Sequence, residues 1–177
     1  MEEGLLIHNS VFEDNRGTFA PLPLKFGEGK LSVLRKNWVQ SNISVNPKKF
    51  TFRGLHFQVG EFAQSKLVKV ITGEIIDFIV DIRPNSPNYL KTYEFVVKPN
   101  NELFVPKGFA HGFSVLSNKA EVFYKCDEFY NKANEAGFMY NDPDLNIDWQ
   151  IPLEKQIISE KDLVLSSFKD HTSNFSY

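Results

Sequence analysis

The segment Phe52-Arg53-Gly54-Leu55-His56-Phe57-Gln58 puts a histidine three residues after an arginine, with Lys66 soon after and a second histidine in Pro106-Lys107-Gly108-Phe109-Ala110-His111-Gly112-Phe113. An imidazole can take or give a proton near neutral pH, an ammonium can hold developing negative charge, and a guanidinium can grip an anion. A histidine between Leu55 and Phe57 can equally be a satisfied core residue. Arg53, Gln58 and Lys66 weigh against that reading, because they are too many polar groups for one stretch of plain core. Convergence on a polar-lined cavity fits the segment better.

Each further candidate has an ordinary reading beside its chemical one. Lys66 shares strand parity with Val68 and Val70, so its head group points inward and must be paired or face a bound anion, whereas most lysines only solvate a surface. Tyr124 falls on one face with Val122 and Cys126, which makes it an interior phenol that packing alone would also explain. Asp162 follows Ser159 in the first turn of a short predicted helix, where an aspartate is stabilising without any catalytic task. Arg16 and Arg53 each precede a glycine and would admit a phosphate closely, yet Asp-x-Arg-Gly is also a common turn. His56 and His111 suggest a two-histidine metal site, and the PxGxxH spacing at Pro106 to His111 is like the second histidine motif of cupin barrels. The first such motif requires His-x-His and a glutamate, whereas His56 is followed by Phe57 and Gln58. Two ligands do not close a typical site, and no metal is expected.

The elements that must position these groups read as strands. Turn signals recur at Asp14-Asn15-Arg16-Gly17, Asn46-Pro47, Thr72-Gly73-Glu74, Pro99-Asn100-Asn101 and Ser117-Asn118-Lys119, separated by short runs rich in Val, Ile, Phe and Tyr. This is the pattern of an antiparallel sandwich or barrel. The run from Leu67 to Arg83 reads as a hairpin turning at Gly73, with the even-numbered face of Ile76, Phe78, Val80 and Ile82 turned inward and Asp77 and Asp81 opposite. A helix is predicted only near Ser159, and the polar tail from Lys169 carries no structural signal.

Bulk properties narrow the function. With 177 residues the chain can bury a core and shows no composition break, so a single domain over 1–177 is expected, with a flexible tail from about residue 169. The balance of 20 Lys+Arg against 22 Asp+Glu, without a basic stripe, argues against nucleic acid. The single cysteine, Cys126, excludes a disulfide framework and fits a reducing cytoplasm. Met1-Glu2-Glu3-Gly4 is acidic where a signal peptide is basic, and no apolar run approaches membrane length.

Taken in order, Asp14-x-Arg16-Gly17-x-Phe19, Gln40-Ser41-Asn42, Arg53-Gly54-Leu55-His56-Phe57-Gln58, Lys66-Leu67-Val68-x-Val70-x-x-Gly73, Val80-Asp81-x-Arg83-x-x-Ser86-Pro87, the Pro106 to Phe113 motif, Tyr124-Lys125-Cys126 and Asn141-Asp142-Pro143-x-Leu145-x-Ile147-Asp148-Trp149 resemble the dTDP-4-dehydrorhamnose 3,5-epimerase family. The resemblance implies a mainly β, cupin-type antiparallel barrel (jelly roll) with a few short helices, working without metal or other cofactor. It implies a homodimer with exchanged N-terminal strands, and a nucleotide-linked 4-keto-6-deoxyhexose whose C3 and C5 protons are removed and returned on the opposite face.

By the same resemblance His56 is the base, Asp162 orients it, Lys66 stabilises the enolate oxygen and Tyr124 is the acid on the far side. Tyr130 stacks on the nucleotide base, and Arg16, Gln40, Asn42, Arg53, His111, Glu135 and Lys161 match positions that hold nucleotide and sugar. One departure stands out: Pro21 occupies a position where the family usually has a nucleotide-binding glutamate. The alternatives are a single-site epimerase of another 4-keto sugar, a barrel that binds nucleotide sugars without catalysis, and a metal-dependent cupin oxygenase.

Overall fold

A computed structural model describes residues 3–9, 11–15, 17–19, 32, 34 and 36–170. Among them lie twelve strands, numbered here in chain order. One sheet runs β1 (Leu5–His8), β9 (Asn101–Val105), β6 (Lys66–Thr72), β11 (Ala120–Cys126), β4 (Gln40–Asn46). The other runs β12 (Glu135–Gly137), β5 (Phe52–Gln58), β10 (Phe109–Val115), β7 (Ile75–Asp81), β8 (Thr92–Val97), and β2 (Phe12–Asp14) pairs with β3 (Gly17–Phe19) as a separate hairpin. All ladders are antiparallel. From β4 to β7 the chain changes sheet at every connection, which is jelly-roll topology.

This topology corrects the hairpin expected at Gly73. Strand β6 pairs with β9 and β11, whereas β7 pairs with β8 and β10, so Thr72-Gly73-Glu74 is an arch between sheets. Gly73 is required there, because its φ is +86° and a Cβ would lie 2.1 Å from the Lys119 carbonyl oxygen. Both hairpins and arches use a turn residue between apolar runs, and the local sequence does not distinguish them.

The inward face of β7 is corrected as well. Ile75 and Ile79 join Val68, Val70, Leu103, Val105 and Val122 in the core between the sheets. The even-numbered Ile76, Phe78, Val80 and Ile82 pack instead on the outer face, against Phe52, Phe138 and Trp149. Every residue of β7 is buried, because the chain beyond β12 lays a third layer over its sheet. Trp149 anchors that layer: its ring centroid lies 4.6 Å from those of Phe52 and Phe78, and its indole N–H donates to the Tyr140 carbonyl at 2.6 Å.

The same C-terminal layer carries the one α-helix among the described residues, α1 (Glu160–Leu163), whose Ser159 side chain caps the Asp162 N–H as the sequence suggested. Residues beyond Asp170, which include most of the expected flexible tail, lie outside the described residues. No helix among the described residues is long and apolar enough to cross a membrane.

Candidate functional site

Arg53 and His56 are three apart in one strand, so plain alternation would send them to opposite faces. A register slip brings them together. His111 pairs with His56 but Phe113 pairs with Arg53, leaving one extra residue on β5, and a bulge of this kind re-aims the side chains that follow it. Gly54 makes the slip possible: its φ is +138°, and a Cβ there would lie 2.5 Å from Gly112 Cα. Both Arg53 and His56 then line a cavity of about 660 Å³ between the sheets.

His56 donates Nε2–H to Asp162 Oδ1 at 2.8 Å, and the Gly54 N–H reaches the other carboxylate oxygen at 3.3 Å. Burial pushes the Asp162 carboxyl up, but hydrogen bonds from His56, Gly54 and Ser159 outweigh it and hold the group below the usual aspartate value. Asp162 is therefore an ionised acceptor, and Nε2 carries the ring proton. Among the described residues Nδ1 has no partner, which leaves its lone pair free to accept one.

The opposite wall comes from the other sheet. Lys66 and Tyr124, on β6 and β11, line the same cavity, with Lys66 paired in the ladder to Cys126 and Tyr124 to Val68. Burial pushes the Lys66 ammonium below the usual lysine range, against weaker opposition from Cys126, Asp77 and Glu135. Its ammonium makes no hydrogen bond or ion pair among the described residues, an arrangement that awaits a negatively charged oxygen. Burial likewise raises the Tyr124 phenol, while Arg53 lowers it in part, so Tyr124 keeps its proton at neutral pH.

The remaining expected positions that the structure describes surround this centre. Gln40 and Asn42 on β4 line an adjoining hollow of about 300 Å³ together with Tyr130 and Glu135. Gln40 donates to Asn42 Oδ1 at 2.9 Å and accepts the Tyr130 N–H at 2.8 Å. Glu135 Oε2 accepts both the Tyr130 hydroxyl at 2.8 Å and the Lys161 ammonium at 2.6 Å. Burial raises the Glu135 carboxyl, and those two bonds more than reverse it. Arg16 and Pro21 fall outside the described residues.

His111 lies on the cavity wall beside His56 and bonds Asp77 Oδ2 through Nε2 at 2.8 Å. Asp77 was not among the expected site residues. It sits on the face of β7 that the sequence assigned outward, fully buried, with its second oxygen lacking a hydrogen bond. Burial raises its pKa and the proximity of His111 opposes the rise. An aspartate inside an apolar strand was the available signal, since a buried carboxylate needs a partner. With both histidines bonded to carboxylates, no three His, Cys, Asp or Glu side chains among the described residues come together as metal ligands. The centre can move a proton between an imidazole on one wall and a phenol on the other, past a cation.

Comparison with known proteins agrees in chemistry. The family model described as dTDP-4-dehydrorhamnose 3,5-epimerase matches residues 1–170. A Shigella flexneri protein named dTDP-4-dehydrorhamnose 3,5-epimerase is 39% identical over 171 residues, covering 94% of this chain and 91% of that protein. The crystal structure of the enzyme of that name from Elizabethkingia anophelis NUHP1 superposes with a TM-score of 0.84 at 43% identity, covering 96% of this chain and 93% of that one. A dTDP-6-deoxy-D-glucose-3,5-epimerase from Legionella pneumophila, solved in complex with dTDP-4-keto-L-rhamnose, superposes with a TM-score of 0.84 at 34% identity, covering 96% of this chain and 89% of that one.

Proposed function

Since this chain belongs to the dTDP-4-dehydrorhamnose 3,5-epimerase family, we propose that it epimerises dTDP-4-keto-6-deoxy-D-glucose at C3 and C5 to dTDP-4-keto-L-rhamnose. The observation that carries this reading is the pairing of a carboxylate-held imidazole and a protonated phenol on different sheets, in one cavity with a desolvated ammonium. His56 Nδ1 takes the proton next to the ketone, and Asp162 stabilises the imidazolium that forms. Negative charge moves to the C4 oxygen, where Lys66 stabilises it more strongly than water would, because its own hydration is already lost. Tyr124 returns a proton from the other side, which inverts the centre.

Arg53, His111 and Lys161 offer cationic or hydrogen-bonding groups to the diphosphate and sugar, and the exposed Tyr130 ring offers a stacking surface for the base. Arg16 is assigned to the same set from its place in the sequence. The reaction needs no cofactor in this account. We further take the enzyme to act in the cytoplasm as a homodimer with exchanged N-terminal strands. The outward Ile43 and Val45 of edge strand β4, 71% and 60% exposed, support an unfilled contact there, and light scattering that gives a monomer mass would refute it.

Proton NMR in heavy water with the dTDP-linked 4-keto sugar tests the chemistry. Deuterium should enter at both C3 and C5 with wild type, and Tyr124→Phe should lose inversion. Label at one carbon alone would identify a single-site epimerase.

A further inference from the structure

We infer that Asn46 is a positioning residue that holds the Arg53 guanidinium with its two terminal nitrogens turned to the cavity, where they take an anionic phosphate oxygen pair. The inference rests on the epimerase reading for the identity of that anion. Asn46 ends β4 and precedes Pro47, so in sequence it resembles only a turn residue. In the fold it is fully buried, and its Oδ1 accepts Arg53 Nε–H at 2.8 Å. The rest of the amide is used to fix that oxygen: Nδ2 donates to the Ala120 carbonyl at 3.3 Å and the Ser44 carbonyl at 3.2 Å, and the Ser44 hydroxyl donates to Oδ1 at 3.2 Å.

The grip is selective. Arg53 is exposed and lines the main cavity, and Nε is its only nitrogen with a hydrogen-bond partner among the described residues. A guanidinium has five N–H donors in a planar fork, so holding Nε from the side leaves the Nη pair aligned for a bidentate oxyanion. A neutral amide does this without cancelling the positive charge, as a carboxylate at the same place would. Fixing the side chain beforehand removes the entropy that a free arginine would lose on binding. Its positive charge also offsets part of the upward shift that burial imposes on the Tyr124 phenol, which lines the same cavity.

Calorimetric titration with dTDP and, separately, with inorganic pyrophosphate tests the inference on wild type, Asn46→Ala, Arg53→Ala and the double variant. Asn46→Ala is expected to weaken both probes by about tenfold, with KM rising by a similar factor and kcat moving by no more than about twofold. The double variant should bind no worse than Arg53→Ala. Asn46→Ala binding both probes like wild type, or adding a further tenfold loss to Arg53→Ala, overturns the inference. Should Asn46→Ala fail to fold, Arg53→Lys keeps a cation without the Nε–H, and wild-type affinity in that variant overturns it too. A wild type that takes pyrophosphate but not dTDP would refute the epimerase reading while leaving the role of Asn46 to stand on pyrophosphate, and a wild type that takes neither refutes both.

Discussion

Lys66 is the residue at which stability and chemistry pull apart. Its ammonium loses hydration without gaining a hydrogen bond or ion pair among the described residues, and the folded protein therefore binds that proton less tightly than the unfolded chain. Lys66→Met should remove this cost, raising the melting temperature by about 2–4 °C for each kcal/mol recovered, while kcat falls by roughly a hundredfold to a thousandfold. A variant that melts lower would show the ammonium to be a structural partner instead. Asp162 has the opposite sign. Its folded pKa lies below the ordinary 3.8, so its contribution to stability is complete above about 3.8 and disappears as pH falls through the lower folded value. Urea melts from pH 5 downward should show Asp162→Asn losing less stability than wild type across that window, and kcat of this variant should drop by about a hundredfold to ten-thousandfold. Cys126 borders the same site, yet burial pushes its thiol up to about 11, and alkylation at pH 8 should require unfolding first.

Among the elements, α1 and the β5 bulge set the placement of Asp162, His56 and Arg53 about the cavity. Removing the cap with Ser159→Ala should cost about 1 kcal/mol in a denaturant melt and lower kcat more than it raises KM, since α1 carries Asp162 to His56. The sequence exposed one wall of the site well: parity within β6 and β11 sends Lys66 and Tyr124 inward, because each strand has one face toward the cavity and keeps its period of two. The helix near Ser159 was legible for a related reason, its cap being a local hydrogen bond. What stayed hidden depends on distant pairing. Strand β7 is covered on both faces, so alternation could not reveal which side Asp77 occupies, and Gly73 looks the same whether it turns within a sheet or between two. Arg53 and His56 share a wall only through the slip opposite Gly112, a property of two strands together.

At the scale of the molecule, the sheet that bears both histidines is held between two apolar layers, one shared with the facing sheet and one supplied by residues beyond β12. Trp149 fills the centre of that outer layer, and Trp149→Ala should destabilise the protein by about 3–5 kcal/mol in chemical denaturation, without changing which groups line the cavity if the fold survives. The backbone joins in as well, with Ile157 bridging Thr51 just ahead of the Arg53 strand and Phe138 bridging Ser166. Because Asp162 arrives on this last wrapping, a chain clipped ahead of Ser159 would lack the carboxylate that His56 bonds in the full fold, so the proposed base would have nothing to fix its tautomer.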